Sequence, residues 1–334
     1  MKRFLIIGLG SMGKRRIRNL RALGYDDITG FDLRAERREE AEGDFGICTV
    51  TDLHTIDEFD AVVISTSPAH HTAYIQLAIE KGKPCFVELS LLVQNLPDLD
   101  RTSRAKGVLV APSCTFRFHP SVRLIKRLVE SGDYGRVTSF TYHSGQYLPD
   151  WHPWENIRDF FVSKKETSGC KEILSFELHW MTYVLGMPRN LIALSGRAAT
   201  LDIDIDDAVA VSMEFDRGIG VLFADTVSRF ATRSLILNLE RAQLRWDWEQ
   251  KLVRLYDADT KQWTGYPEPE GHAHSGYNAG IVEQMYIGEL QTFIEAAERG
   301  RPFPLSLSDT IRILELIEAI EENSYATKSA GGKR

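Results

Sequence analysis

The chain has 334 residues, 43% of them hydrophobic and 26% charged, with 25 glycines and 12 prolines. That composition fits a globular protein of about two domains and excludes a disulfide-stapled module, a disordered chain and a collagen-like repeat. Acids outnumber bases, 47 to 40, for a net charge of −7, which argues against nucleic acid or an anionic membrane surface as partner.

The longest apolar runs, such as Phe4 to Leu9 and Ala61 to Ile64, fall far short of the ~20 residues a membrane-spanning helix needs. Met-Lys-Arg at the start leads straight into a strand-like run and glycines, without the apolar region of a secretory signal, so a cytoplasmic location is expected. Cys48, Cys85, Cys114 and Cys170 are far apart and form no CxxC pair; they read as buried free thiols, with no metal site.

From Phe4 to about Phe116, short apolar runs alternate with helical patterns. Phe4–Ile7, Ile28–Phe31, Ala61–Ile64, Cys85–Val87 and Val108–Ala111 read as strands, with helices at 11 to 23, 68 to 82 and 97 to 107. Strands apolar throughout suit a parallel sheet covered on both faces, so a doubly wound α/β domain is expected over residues 1–118. A helix follows His119-Pro120 to about Ser131. The rhythm then changes to long alternating strands at Ala208–Phe215, Gly218–Ser228, Ser234–Trp246 and Leu252–Tyr256, before helices at about 279 to 299 and 308 to 325. Residues 119–334 therefore read as an α+β domain with a large open, mainly antiparallel sheet for substrate binding and oligomerisation. An uncovered sheet face of that size implies a homodimer or homotetramer.

Gly8-Leu-Gly10-Ser11-Met12-Gly13 follows the first strand directly and opens a helix. GxGxxG in that context, with an acid about 20 residues on, is the fingerprint of a dinucleotide site. Gly8 permits the tight turn, Gly10 the approach of a pyrophosphate, and Gly13 close packing of helix on strand, with the Ser11 and Met12 amides facing the phosphates. Asp32 ends the second strand, where a carboxylate binds both adenosine ribose hydroxyls and repels a 2′-phosphate. NAD is therefore favoured, with NADP as the alternative because Arg34, Arg37 and Arg38 follow at once. Those arginines read either as a phosphate clamp or as a solvated helix face paired with Glu36, Glu39 and Glu40.

The order of motifs resembles the glucose-fructose oxidoreductase, inositol dehydrogenase and MocA (Gfo/Idh/MocA) family over nearly the whole chain. After the glycine fingerprint, Thr66-Ser67-Pro68 with His71 resembles the family's loop beside the nicotinamide. Gly82-Lys83-Pro84 to Glu88 resembles the approach to its Glu-Lys-Pro motif, and Arg117-Phe-His-Pro120 with Gly132 to Val137 its entry to the second domain. Gly169 to His179 resembles its helix bearing Asp-x-Gly-x-x-x-His, and Gly300-Arg-Pro-Phe-Pro with Asp309-Thr310 its closing segment. The resemblance implies a Rossmann domain, a nicotinamide cofactor and hydride transfer at a sugar carbon, with Thr66, Ser67, Pro68, His71 and Glu88 lining the cofactor.

Two departures fall on the chemistry. Where the family has Glu-Lys-Pro, this chain has Glu88-Leu89-Ser90, and Leu89 cannot donate, accept or carry charge. Where the family has its helical aspartate stands Ser175, and the glycine two positions on is Glu177. His179 remains. At 100° per residue, Lys171, Glu172, Ser175, His179 and Thr182 share an arc of roughly 100° on an otherwise apolar helix. That stripe reads either as a solvated face or as one wall of a site. In the second reading His179 is the acid/base, since its ordinary pKa lies near neutrality, and Lys171, Glu172 or Ser175 form its relay.

The aromatic segment Gln146-Tyr147-Leu-Pro-Asp150-Trp151-His152-Pro-Trp154-Glu155 suits the apolar face and hydroxylated rim of a sugar. The alternative is a structural loop or subunit contact with its aromatics buried. Tyr147, Trp151, Trp154, Arg117 and Lys165 are accordingly the candidate substrate contacts. The expectation is an NAD(P)-dependent oxidoreductase acting on a sugar or nucleotide-sugar derivative. The alternatives are an epimerase, lyase or glycosidase that uses the cofactor without net redox, or a non-catalytic nucleotide-binding protein.

Overall fold

The computed structural model describes residues 1–56, 58–151, 156–198, 201–216, 218–271 and 282–324. The chain divides into two compact units: residues 1–115 with 282–312, and residues 116–281 with 313–334. The first division falls three residues before the expected boundary at 118. The expectation of a contiguous second domain is corrected, because Val282–Arg312 returns to the first unit.

In the first unit, strands β1 (Arg3–Ile7), β2 (Asp27–Phe31), β3 (Cys48–Val50), β4 (Ala61–Ile64), β5 (Cys85–Val87) and β6 (Val110–Pro112) form one sheet in the order β3-β2-β1-β4-β5-β6. Every pairing is parallel. Helices α1 (Ser11–Ala22), α2 (Ala35–Phe45), α3 (His71–Glu80) and α4 (Leu96–Lys106) make the crossovers. Phe4 to Ile7 and Ala61 to Ile64 are all buried, as strands covered on both faces must be. β3 escaped the sequence reading because it is a three-residue edge strand whose Cys48 is exposed, against the expectation of buried thiols; Cys85, Cys114 and Cys170 are buried. Strand order reverses between β1 and β4, so the C-terminal ends of these strands flank a topological switch point, where ligands bind in open α/β sheets.

In the second unit, helix α5 (Pro120–Glu130) begins with proline at its first position and His119 Nδ1 accepting the Ser121 amide. Strands β7 (Val137–Gly145), β8 (Asn190–Gly196), β9 (Ala208–Phe215), β10 (Gly218–Asp225), β11 (Thr232–Leu239), β12 (Ala242–Asp247), β13 (Leu252–Asp257) and β14 (Gln262–Pro267) form a sheet in the order β14-β13-β12-β11-β7-β10-β9-β8. Only β10 against β7 is parallel. The single strand expected over Ser234–Trp246 is corrected to two, β11 and β12, turning at Glu240-Arg241. That corner has no glycine or proline; it is pinned by Glu240 N–H to Arg136 O and Arg241 N–H to Tyr134 O. Helix α6 (Gly169–Leu185) lies between β7 and β8 in the chain, and α7 (Glu283–Arg299) and α8 (Leu307–Glu322) close it. Among the described residues no helix is long and apolar enough to cross a membrane.

Candidate functional site

Four of the six strands of the first sheet, β1, β2, β4 and β5, end at candidate cofactor residues. Gly8 has φ of +93°, a conformation side chains rarely adopt, and a Cβ there would lie 2.7 Å from the Ser65 backbone. A Cβ on Gly13 would lie 1.9 Å from Gly8 O, so only glycine lets α1 pack this closely. A Cβ on Gly10 meets nothing within 3.4 Å, where the Arg37 guanidinium begins. Helix α1 has Gly10 as its N-cap, with no side-chain cap bond and no acid in its first turn, so the positive end of its dipole favours an anion. Asp32 is buried and held by two amides, Leu9 N–H at 2.8 Å and Arg34 N–H at 3.0 Å. Two lone pairs remain for ribose hydroxyls. The bend fits a dinucleotide.

The arginines after Asp32 follow neither expected pattern fully. Arg38 donates to the backbone oxygens of Asp32 and Leu33, while the Arg37 guanidinium stands 3.6 Å from Asp32 Oδ2. Lys14, not an arginine, pairs with Glu40. Arg34 contributes its amide, and its side chain is exposed.

At the end of β4, Ser65 Oγ and Thr66 Oγ1 are sealed from solvent with no hydrogen-bond partner among the described residues. Ser67 precedes a 3-10 turn over Pro68–His70. His71 does not face outward: it is buried, its Nε2–H donates to Thr66 O at 2.9 Å, and its Nδ1 lies 3.2 Å from Ser90 Oγ. Burial pushes its pKa down to about 4 despite the Thr66 bond. In this position the ring ties the Thr66 segment to the Ser90 segment.

Glu88 is likewise occupied. Its carboxylate takes a two-pronged contact from Arg16, with Nε to Oε1 at 2.6 Å and Nη2 to Oε2 at 3.1 Å. Arg16 also donates to Glu289 of α7 at 3.0 Å, and Glu289 accepts from the Ser113 and Thr115 hydroxyls and the Cys114 amide. Burial raises the Glu289 pKa, which Arg16 opposes. Sequence reading missed this network, because nothing in the spacing of Arg16 or Glu289 separates them from solvated helix charges.

In the second unit, α6 is capped by Ser168, whose hydroxyl accepts the Lys171 amide at 3.3 Å. His179 is 2% exposed; its Nδ1 bonds the Ser175 carbonyl. A carbonyl only accepts, so Nδ1 carries the proton and Nε2 presents a lone pair, sealed and without a partner among the described residues. Burial lowers the His179 pKa to about 4, the Ser175 bond opposing and the Arg117 charge assisting. Glu172 Oε2 is also sealed and unpartnered, and burial raises that carboxyl to about 8. Lys171 pairs with Glu321 at 3.0 Å, and Thr182 donates to Leu178 O. Among the described contacts the His179 ring bonds the Ser175 carbonyl, and neither Lys171 nor Glu172.

Glu177, on the opposite side of α6, is fully buried among four donors: Tyr142 OH, Ser144 Oγ, Trp180 Nε1 and Arg233 Nε. It fastens the helix to the sheet, which explains a charge where the resembling family has glycine.

The expected substrate contacts fare differently. Arg117 donates to His179 O at 2.9 Å and covers the Tyr183 ring at 4.9 Å, so it packs against α6 rather than reaching outward. Lys165 sits in an exposed pair with Asp204. Tyr147 and Trp151 pack on a small apolar core of Leu148, Val162, Leu201 and Ile205, and Arg229 covers the Tyr147 ring at 3.9 Å. His152 and Trp154 lie outside the described residues.

Two family models match in succession: an oxidoreductase family with an NAD-binding Rossmann fold over residues 2–113, and a GFO/IDH/MocA C-terminal domain over residues 122–270. Inositol 2-dehydrogenase 3 of Saccharopolyspora erythraea is 23% identical, covering 89% of this chain and 96% of its own. Inositol 2-dehydrogenase of Rhizobium meliloti is 22% identical over 99% and 98%. Among solved structures, levoglucosan dehydrogenase in complex with NADH superposes with a TM-score of 0.81 at 18% identity, over 97% of this chain and 96% of that one. An Agrobacterium radiobacter oxidoreductase in complex with NAD+, L-tartaric acid and magnesium gives 0.82 at 14% identity, over 97% and 96%. These likenesses carry the fold.

Proposed function

Because the chain belongs to the Gfo/Idh/MocA oxidoreductase family and its first unit is an NAD-binding Rossmann domain, we propose that it is a dehydrogenase of a sugar or cyclic polyol, with His179 as acid/base. The observation that carries this reading is His179 Nε2, a fixed, neutral acceptor buried without a partner. NAD held at this bend would supply the acceptor for the hydride of a CH–OH carbon. His179 Nε2 takes the hydroxyl proton, so the carbinol leaves as a carbonyl compound and the imidazole as imidazolium. The Ser175 carbonyl holds the ring in the tautomer that can do this and stabilises the cation formed. Asp32 and the open end of α1 hold the adenosine ribose and the pyrophosphate, and the carboxylate of Asp32 favours NAD over NADP. Inositol and levoglucosan dehydrogenases among the similar proteins support a cyclic polyol or sugar as substrate.

The test is absorbance of reduced nicotinamide during turnover of inositols, levoglucosan and common hexoses. Turnover that falls at least a hundredfold in His179→Ala, with NAD affinity unchanged, is expected. Equal rates in the variant would remove His179 from the chemistry.

We also infer that a second copy covers the open sheet face. Ile192 and Leu194 of β8 and Ile219, Val221 and Phe223 of β10 are exposed by 38–66%. Register aligns them on one face, through Ser212 and Ala210 of β9. An apolar patch of this kind is the usual mark of a subunit interface.

A further inference from the structure

Glu172, Ser175 and His179 share one stripe of α6. The outer two are seven positions apart, which places them within about 20° around the axis and roughly 10.5 Å apart along it. Each of the two holds a sealed polar atom, Glu172 Oε2 and His179 Nε2, without a partner among the described residues. Neighbouring polar groups on the same helix are satisfied: Lys171 by Glu321, Glu177 by four donors, Thr182 by the Leu178 carbonyl. Two such sealed atoms on one stripe of one helix stand far enough apart to bracket a six-membered ring with a hydrogen bond at each end.

We propose that Glu172 is a second substrate-contacting residue, a carboxylic acid that donates its proton in a hydrogen bond to an oxygen of an uncharged cyclic polyol, while His179 Nε2 accepts from another hydroxyl of the same ring. This rests on the reading of His179 given above. Desolvation keeps Glu172 protonated up to about pH 8 and His179 neutral above about pH 4. Between those limits the stripe is one donor and one acceptor without net charge. The neighbouring ions are already engaged, Lys171 by Glu321 and Arg117 by the His179 carbonyl and the Tyr183 ring. A ligand amine or carboxylate would find no free counter-ion in the stripe and would have to give up its hydration to enter. The site therefore selects neutral rings over amino sugars and sugar acids.

The experiment measures kcat and KM for the full-length protein with NAD, using myo-inositol and levoglucosan as uncharged probes and glucosamine and glucuronate as charged ones. The wild type is expected to turn over an uncharged probe with a KM at least about tenfold below that of either charged one. Glu172→Gln keeps a neutral donor and should hold KM within about threefold. Glu172→Leu should raise KM at least about tenfold, with kcat less affected and NAD affinity unchanged. A wild-type KM in Glu172→Leu, or a wild type that prefers a charged probe, overturns the role of Glu172 while leaving that of His179 standing. Should Glu172→Leu fail to fold, Glu172→Gln decides, and a tenfold rise in its KM overturns the proposal. No turnover of any probe by NAD-loaded wild type sinks the His179 reading and this one together.

Discussion

His179 donates its Nδ1–H to the carbonyl of Ser175, one turn back on the same helix. That bond leaves the distal nitrogen as the acceptor, and burial keeps the ring neutral down to about pH 4. The acid limb of kcat/KM should accordingly lie near pH 4, not near the ordinary imidazole value. In His179→Ala, kcat/KM should fall by 10²–10⁴, the usual worth of a positioned acid/base. A pH–rate profile with an acid limb above pH 6 would contradict this.

Removing the Asp32 carboxylate takes away both the ribose contact and the partner of Arg37. Asp32→Ala should weaken NAD about tenfold and improve NADP relative to NAD, since a freed guanidinium can meet a 2′-phosphate. Calorimetric titration with each coenzyme reads the ratio directly.

Three buried histidines have depressed pKa values: His71 and His179 to about 4 and His119 to about 3, all chiefly by desolvation. The unfolded chain binds their protons near pH 6.5 while the folded chain refuses them, so stability is full above that pH and lost as pH falls toward 4. The linkage is on the order of 3 kcal/mol per histidine as an upper bound. Urea unfolding at pH 7.5, 5.5 and 4.5 should show a steep decline, flattened in His71→Asn.

Arg16 is fully buried between two carboxylates, Glu88 and Glu289. Arg16→Ala should cost about 3–5 kcal/mol, because it leaves both carboxylates without their cation. Glu289→Ala should cost less, because Glu88 still pairs with Arg16. Chemical denaturation of the two variants measures the difference.

A charge on the open sheet should split the assembly. Phe223→Asp or Ile219→Asp is expected to give a monomer with native circular dichroism, read by light scattering. Unchanged mass in both would place the subunit contact elsewhere.

Much of the first unit was legible because its strands announce themselves: Phe4–Ile7 and Ala61–Ile64 are apolar at every position, and only a doubly covered sheet asks for that. The glycine bend was legible because a Cβ at Gly8 or Gly13 would collide with backbone. The second unit hid more. The central strand β7 reads Val-Thr-Ser-Phe-Thr-Tyr-His-Ser-Gly, in which buried Ser144 and Tyr142 serve Glu177 instead of an apolar core. The Glu240-Arg241 corner is made by bonds to Tyr134 and Arg136, a hundred residues away in the chain, so no local turn signal marks it. On α6, His179 and Glu172 stood out by helical spacing. Glu88, His71 and Arg117 have the right residue types at the right strand ends and helix entries, but their polar atoms brace the scaffold, which only three-dimensional partners reveal.

The return of α7 to the first unit bears on how the protein is made. During synthesis the Rossmann sheet leaves the ribosome early, yet Glu289, which joins Arg16 to the Ser113–Thr115 segment, emerges only after most of the second unit. Until then Arg16 has Glu88 as its partner, and the Ser113, Cys114 and Thr115 donors lack their acceptor. The nucleotide half therefore becomes fully stable late in translation, and a gene fragment stopped at residue 118 should yield a chain that chaperones hold or proteases remove.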